Sequence, residues 1–142
     1  MRPLYETEGD LSKEKAVVRI IESRWKVKAV KLNIKWNLDY LLLRDGNKAA
    51  AVCEIKCRTN QMKQYADYMI SLDKLRAAWE FECLCDIPFF LVVQWTDNLG
   101  FWRMPGNYIA QAGVGGRKDR GDSQDIEPCA FIPVSDFKVI DQ

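Results

Sequence analysis

The sequence predicts an α/β domain in which helices pack on a mixed β-sheet, in the order α-β-β-β-α-β-β. Three observations carry this. Two segments, one following Ser12 and one following Ser71, repeat apolar residues at helical spacing. Between them, Leu38–Arg44 and Ala49–Lys56 read as two strands joined through Asp45-Gly46-Asn47. After the second helix, Pro88 opens the most hydrophobic strand of the chain, PFFLVVQW.

Ser12 is a plausible N-cap for a first helix of roughly Lys13 to Arg24, with residues 1–10 as a polar arm before it. Val17, Ile20, Ile21 and Trp25 form its apolar stripe. At about 100° per residue, Glu14 falls near the centre of that stripe and Glu22 near its edge. Glu14 therefore has two readings: a first-turn acid still in solvent, or an acid directed inward. Val27–Leu32 alternates apolar and basic residues as a first strand, with Lys28 and Lys31 towards the surface.

If Gly46-Asn47 form a two-residue turn, cross-strand partners in the hairpin have numbers that sum to 93, and Asp39 lies opposite Glu54. Directly opposed residues have Cβ atoms about 4.5–5.5 Å apart. Two carboxylates at that separation repel by about 3 kcal/mol at an effective dielectric of about 20. A divalent cation between them is the expected remedy, and Lys56 follows Glu54 on the same face. The strand Leu38–Arg44 carries Tyr40 and Leu42 on one face and Leu41 and Leu43 on the other, so it is apolar on both faces and belongs in the middle of the sheet.

Residues 57–65 are polar and loop-like, and Tyr68-Met69-Ile70 reads as a short strand. Ser71 caps a second helix to about Glu82 with Leu72, Leu75 and Trp79 inward. A turn over Thr96–Gly100 leads into Phe101–Met104. Between Gly106 and Pro128, glycines alternate with Arg117, Lys118 and Arg120, a composition that predicts a long loop. Phe131–Ile140 closes the chain as a last strand or turn. The 142 residues suit one domain: a core over about 12–104, the Gly/Arg-rich loop 106–128, and a C-terminal strand region 129–142.

Composition narrows the chemistry. Net charge is +1, which imposes no global basic field, although Lys26, Lys28, Lys31 and Lys35 cluster. There is no histidine, which removes histidine-based triads, histidine bases and His-ligated zinc. Five cysteines form no paired framework, in keeping with reduced cytosolic thiols. Cys53 and Cys57 share a strand face two pleats apart, which disfavours zinc. No apolar stretch is long enough to span a membrane and the N-terminus lacks an apolar signal region, so a cytoplasmic protein is expected. Arg120-Gly121-Asp122 matches an adhesion tripeptide by coincidence.

On Asp39, Glu54-Ile55-Lys56 and the preceding helix with Glu14, the chain resembles the PD-(D/E)xK nuclease superfamily. The resemblance covers roughly residues 12–95 and implies a restriction-endonuclease-like core of order α-β-β-β-α-β. Glu14, Asp39, Glu54 and Lys56 match the family's helix glutamate, first aspartate, second acid and lysine. Leu38 stands where the family often has proline, which is not a ligand. Ser71-Leu72-Asp73-Lys74-Leu75, Pro88–Trp95 and Phe101-Trp102 resemble the small Holliday junction resolvases and related phage nucleases. The segment from Gly115 to Pro128 resembles small proteins of tailed phages and prophages.

The resemblance implies a metal-dependent endonuclease acting on DNA, with branched or junction DNA the leading substrate. Asp39, Glu54, the Ile55 carbonyl and Glu14 would hold Mg²⁺ or Mn²⁺, because hard oxygen donors suit those ions. Lys56 would position water or donate to the phosphate. Lys35, Arg58, Arg117, Lys118 and Arg120 would contact the nucleic-acid backbone. It also implies a homodimer, since a four-way junction presents two scissile strands, and the host-cell cytoplasm as location if phage encoded. No organic cofactor is expected. Two other readings stay open: a catalytically inactive nucleic-acid-binding protein on the same fold, or a cytosolic protein whose Asp39–Glu54 pair is merely solvated.

Overall fold

In the computed structural model the described residues are 8–106, 112–116 and 126–141. The first helix, α1 (Glu8–Trp25), begins before Ser12, so that serine lies within the helix and does not cap it. Glu8 and Asp10 occupy the first turn, where carboxylates favour the positive helix end. Then come β1 (Lys28–Lys31), a 3-10 turn at Ile34–Trp36, and the hairpin strands β2 (Tyr40–Arg44) and β3 (Lys48–Cys57). A short strand β4 (Asp67–Ser71) runs directly into α2 (Leu72–Cys85), which is followed by β5 (Phe89–Gln94) and β6 (Leu99–Arg103). Strands β7 (Ala112–Gly116), β8 (Ile126–Pro133) and β9 (Lys138–Val139) complete the order.

Six strands form the main sheet in the order β1-β2-β3-β5-β6-β9. Only β3 and β5 run parallel; the other neighbours are antiparallel. With β4 set aside, because it pairs outside this sheet, the α-β-β-β-α-β succession and the mixed sheet agree with the predicted fold class. The central position of β3 follows from its composition, which lets Val52, Cys53, Glu54 and Ile55 be buried on both faces.

Alternation along the strands separates two cores. On one face Val17 and Ile21 of α1 pack with Tyr40, Leu42, Ala51, Cys53, Ile55 and Val92. On the other, Leu75 and Ala78 of α2 pack with Val52, Phe89, Leu91, Val93 and Trp102. Ala130 and Ile132 of β8 join this second core.

The hairpin differs from the predicted two-residue turn. Asp45, Gly46 and Asn47 all have positive φ (46°, 78° and 70°) and form a three-residue turn. Next to the turn, Arg44 pairs with Lys48 and Leu43 with Ala49. Ala50 is then left over as a bulge, and Leu42 pairs with Ala51, Leu41 with Val52 and Tyr40 with Cys53. Beyond the bulge the partners again sum to 93, so the next position sets Asp39 across from Glu54.

Two further expectations are corrected. Trp79 points outward and is 56% exposed, because the buried side of α2 is made by Leu75, Ala77 and Ala78. The stretch 106–128 is not all loop: β7 lies within it and β8 begins at Ile126. These strands join β4 in a separate three-stranded sheet of order β4-β8-β7. At Gly113, across from Cys129, a Cβ would stand 2.9 Å from the Phe131 ring, so glycine makes room for that ring. The basic candidates Arg117, Lys118 and Arg120 lie outside the described residues.

Candidate active site

The site forms where β2 begins and β3 ends. Asn33 accepts a hydrogen bond from the Lys35 N–H, and Asn37 turns the chain in the left-handed region (φ 61°). The chain therefore enters β2 at Asp39, whose carbonyl accepts from the Leu32 N–H (2.7 Å). Asp39 Oδ2 accepts from the Ile55 N–H (3.0 Å). This side chain satisfies a donor on β3 just beyond the last paired residues, and the bond fixes one carboxylate oxygen.

Glu54 is 0% exposed. Its side chain lies on the α2 face, in alternation with Val52, a member of the core beneath α2. Two ammonium groups approach the same oxygen: Lys56 Nζ and Lys74 Nζ are each 3.3 Å from Oε1. Glu54 Oε2 has no hydrogen-bond donor among the described residues. Burial raises the pKa of Glu54, Lys56 and Lys74 pull it back, and Asp39 pushes it up again. The net shift is upward because desolvation of the charged form dominates. For Lys56, burial favours the neutral amine, but Glu54 and Asp39 outweigh it and raise its pKa. Lys56 is accordingly an ammonium at neutral pH, a donor and not a base.

Glu14 lies on the opposite, α1 side of the sheet and is 8% exposed, in agreement with the inward reading from the helical wheel. Its Oε2 accepts from Tyr40 OH (2.8 Å) and from Lys31 Nζ (2.9 Å). Lys31 Nζ is also 3.9 Å from Asp39 Oδ1 and lies 4.9 Å from the Tyr40 ring centre. A polar chain thus runs from Glu14 through Lys31 to Asp39 at the end of the sheet.

The structure brings Asp39, Glu54, Ile55 and Lys56 together and connects Glu14 to them through Lys31. Among the described residues, no three or more Asp, Glu, Cys or His side chains converge on one point that would hold a metal ion. The acidic set in direct reach is a pair. Lys35 is exposed in its 3-10 turn. Arg58 donates through Nη2 to Tyr68 OH (2.7 Å) and its guanidinium carbon is 5.1 Å from that ring centre. Cys53 and Cys57 carry free thiols.

Sequence reasoning gave no role to Lys31, Tyr40 or Lys74. Tyr40 was accessible through the hairpin register, which puts it on the α1 face. Lys74 left a fainter signal: Ser71 Oγ accepts from the Asp73 N–H (3.2 Å), so Lys74 is the third residue of α2, in a turn that electrostatically favours acids.

Comparison with known proteins adds three findings. The model of the family described as "Phage putative PDDEXK endonuclease" matches residues 1–140. The structure is similar to that of Hjc from Archaeoglobus fulgidus, a Holliday junction resolvase from an archaeal hyperthermophile. That likeness covers 82% of this chain and 87% of the other, at 14% identity and a TM-score of 0.48. Comparison with curated proteins gives no match.

Proposed function

The chain belongs to the phage PDDEXK endonuclease family, and on that premise we propose that it is a metal-dependent endonuclease that hydrolyses phosphodiester bonds in DNA, with branched or junction DNA as substrate. The observation that carries the reading is Glu54: a fully buried carboxylate whose Oε2 has no donor among the described residues and whose Oε1 meets the ammonium groups of Lys56 and Lys74, across the hairpin from Asp39. Burying such a group is costly unless something compensates it, and two ammonium ions on one of its oxygens do so only in part.

The donor set suits Mg²⁺ or Mn²⁺. Asp39 and Glu54 offer hard carboxylate oxygens, and the main-chain carbonyl of Ile55 is the third protein donor we assign. When bound, such an ion supplies Lewis-acid activation of water and charge neutralisation at the phosphate. The protein's own part is positional. The Ile55 N–H fixes Asp39 in one rotamer. Glu14 fixes Lys31, which restrains the outer oxygen of Asp39. Lys56, held protonated by the two acids, donates to a non-bridging oxygen of the scissile phosphate and stabilises the charge that builds there.

Lys35 and Arg58 are the described residues assigned to DNA backbone contact, Arg58 being braced by Tyr68; Arg117, Lys118 and Arg120 are assigned to it from sequence. Junction preference is supported by the sequence pattern of α2, β5 and β6, and a homodimer acting on paired strands goes with it. We place this single nuclease domain in the host-cell cytoplasm; no helix among the described residues is long and apolar enough to cross a membrane.

The test is a panel of end-labelled duplex, flap and four-way-junction DNA, with Mn²⁺, with Mg²⁺ and with EDTA. Cleavage that requires the metal and is lost in Glu54→Ala and Lys56→Ala supports the reading. Absence of cleavage on every substrate, or full activity in those variants, sinks it.

A further inference from the structure

We propose that Lys74 is a positioning residue that occupies the cation's place on Glu54 in the metal-free protein and thereby makes metal binding depend on a DNA phosphate. The inference rests on the nuclease reading above and adds to it an order of assembly.

Three observations converge. Lys74 comes from α2, not from the strand that carries Glu54, and its ammonium is 3.3 Å from Glu54 Oε1, the oxygen that Lys56 also approaches at 3.3 Å. Two ammonium groups on one oxygen repel each other, and that arrangement is stable only while the buried carboxylate has no better partner. Second, Lys74 sits in the first turn of α2, where the helix's positive end disfavours a cation. Its position opposes helix electrostatics, so the compensation lies in Glu54. Third, its side chain is 29% exposed, open enough to leave Glu54 without passing through the core.

Formal charges give the direction. Asp39 and Glu54 contribute two negative charges, and Lys56 and Lys74 two positive ones; Lys31 is paired chiefly with Glu14. The metal-free site is therefore balanced. A divalent cation introduced alone leaves an uncompensated double positive charge beside a fully buried carboxylate. A DNA phosphate supplies negative charge at the same place and offers Lys74 a new anion when the cation takes Glu54. Metal and DNA then bind with positive coupling, each strengthening the other by the same factor.

Mn²⁺ dissociation constants measured by electron paramagnetic resonance on the full chain test this independently of turnover. Measurements are made without DNA and with a four-way junction protected by phosphorothioates at the cleavage positions. In the wild type we expect Mn²⁺ to bind at least tenfold more tightly when the junction is present. Without DNA, Lys74→Gln binds Mn²⁺ about tenfold more tightly than the wild type, the factor that corresponds to about 1.4 kcal/mol. Its coupling to DNA shrinks, and Lys74→Arg restores the wild-type values. A merely structural lysine would shift the melting temperature and leave these affinities alone.

Equal or weaker Mn²⁺ binding by Lys74→Gln without DNA overturns the proposal while leaving the nuclease reading intact if the wild type still cleaves. Absence of Mn²⁺ binding by the wild type under both conditions, with no cleavage, overturns both. Should Lys74→Gln fail to fold, the wild-type titration decides: an Mn²⁺ affinity that DNA does not change refutes the coupling.

Discussion

Replacing Asp39 by asparagine separates the two states of the site. The amide keeps an acceptor for the Ile55 N–H, now bonded to Oδ2 at 3.0 Å, and removes one negative charge beside Glu54. Without metal, two terms oppose. Opposed carboxylates about 5 Å apart repel by roughly 3 kcal/mol at an effective dielectric of about 20. Against this stands the loss of the Lys31 pair, 3.9 Å long, between an ammonium 45% exposed and a carboxylate 20% exposed. Solvent screening limits such a pair to about 1 kcal/mol or less. Lys56 and Lys74 shield part of the repulsion, so the net gain is about 1 kcal/mol, or roughly 3 °C in Tm for a domain of this size.

Metal reverses the order. A cation at 100 times its Kd stabilises the wild type by about 2.7 kcal/mol, and the asparagine variant, short of one anionic donor, gains much less. Thermal melts followed by circular dichroism at pH 7.5, in EDTA and in millimolar Mn²⁺, should therefore cross: variant above wild type in EDTA, below it in Mn²⁺. A variant that melts lower in EDTA, or that gains as much from Mn²⁺ as the wild type, would refute the reasoning.

Three other outcomes are expected. Because burial raises the Glu54 carboxyl above its ordinary value of 4.5, its contribution to stability is present below that pH and is lost as pH rises through the raised value. In EDTA, the Tm advantage of Glu54→Gln over wild type should consequently grow from pH 4 to pH 7.5; an advantage that shrinks contradicts the shift. Tyr40→Phe removes a buried 2.8 Å hydrogen bond to the Glu14 side chain and should cost about 2 kcal/mol in urea unfolding; an unchanged unfolding free energy contradicts this. Phe89→Ala, at a fully buried ring, should cost about 3–5 kcal/mol, whereas Trp79→Ala on the exposed side of α2 should stay within about 0.5 kcal/mol. Similar costs at both positions would contradict the packing described.

The parts of the site that neighbour each other along one hairpin were legible in the sequence. Alternation with period two put Glu54 and Lys56 on one face, and helical spacing turned Glu14 inward. Lys74 was not, because its contact with Glu54 joins segments that only the docking of α2 on the sheet brings together. Trp79 was misassigned for a related reason. Hydrophobicity favours a large ring at the buried stripe, but the helix approaches the sheet through Ala77 and Ala78, whose small size admits close contact and gives little apolar signal. The second sheet escaped notice because Gly113, Gly115 and Gly116 of β7 lack the side chains whose alternation marks a strand.

The extra residue at Ala50 has a consequence for how this hairpin tolerates changes in length. A three-residue turn with one leftover residue and a two-residue turn with none deliver the same partners from Leu42 and Ala51 onward. An insertion or deletion between Leu43 and Ala51 can thus be absorbed on the turn side, leaving the acid pair in place. A single residue gained between Ala51 and Glu54 has no such outlet: it would send Glu54 to the α1 side of the sheet, away from Asp39 and from Lys74. Sequence drift in this family should therefore accumulate at the tip of the hairpin and stop at Ala51.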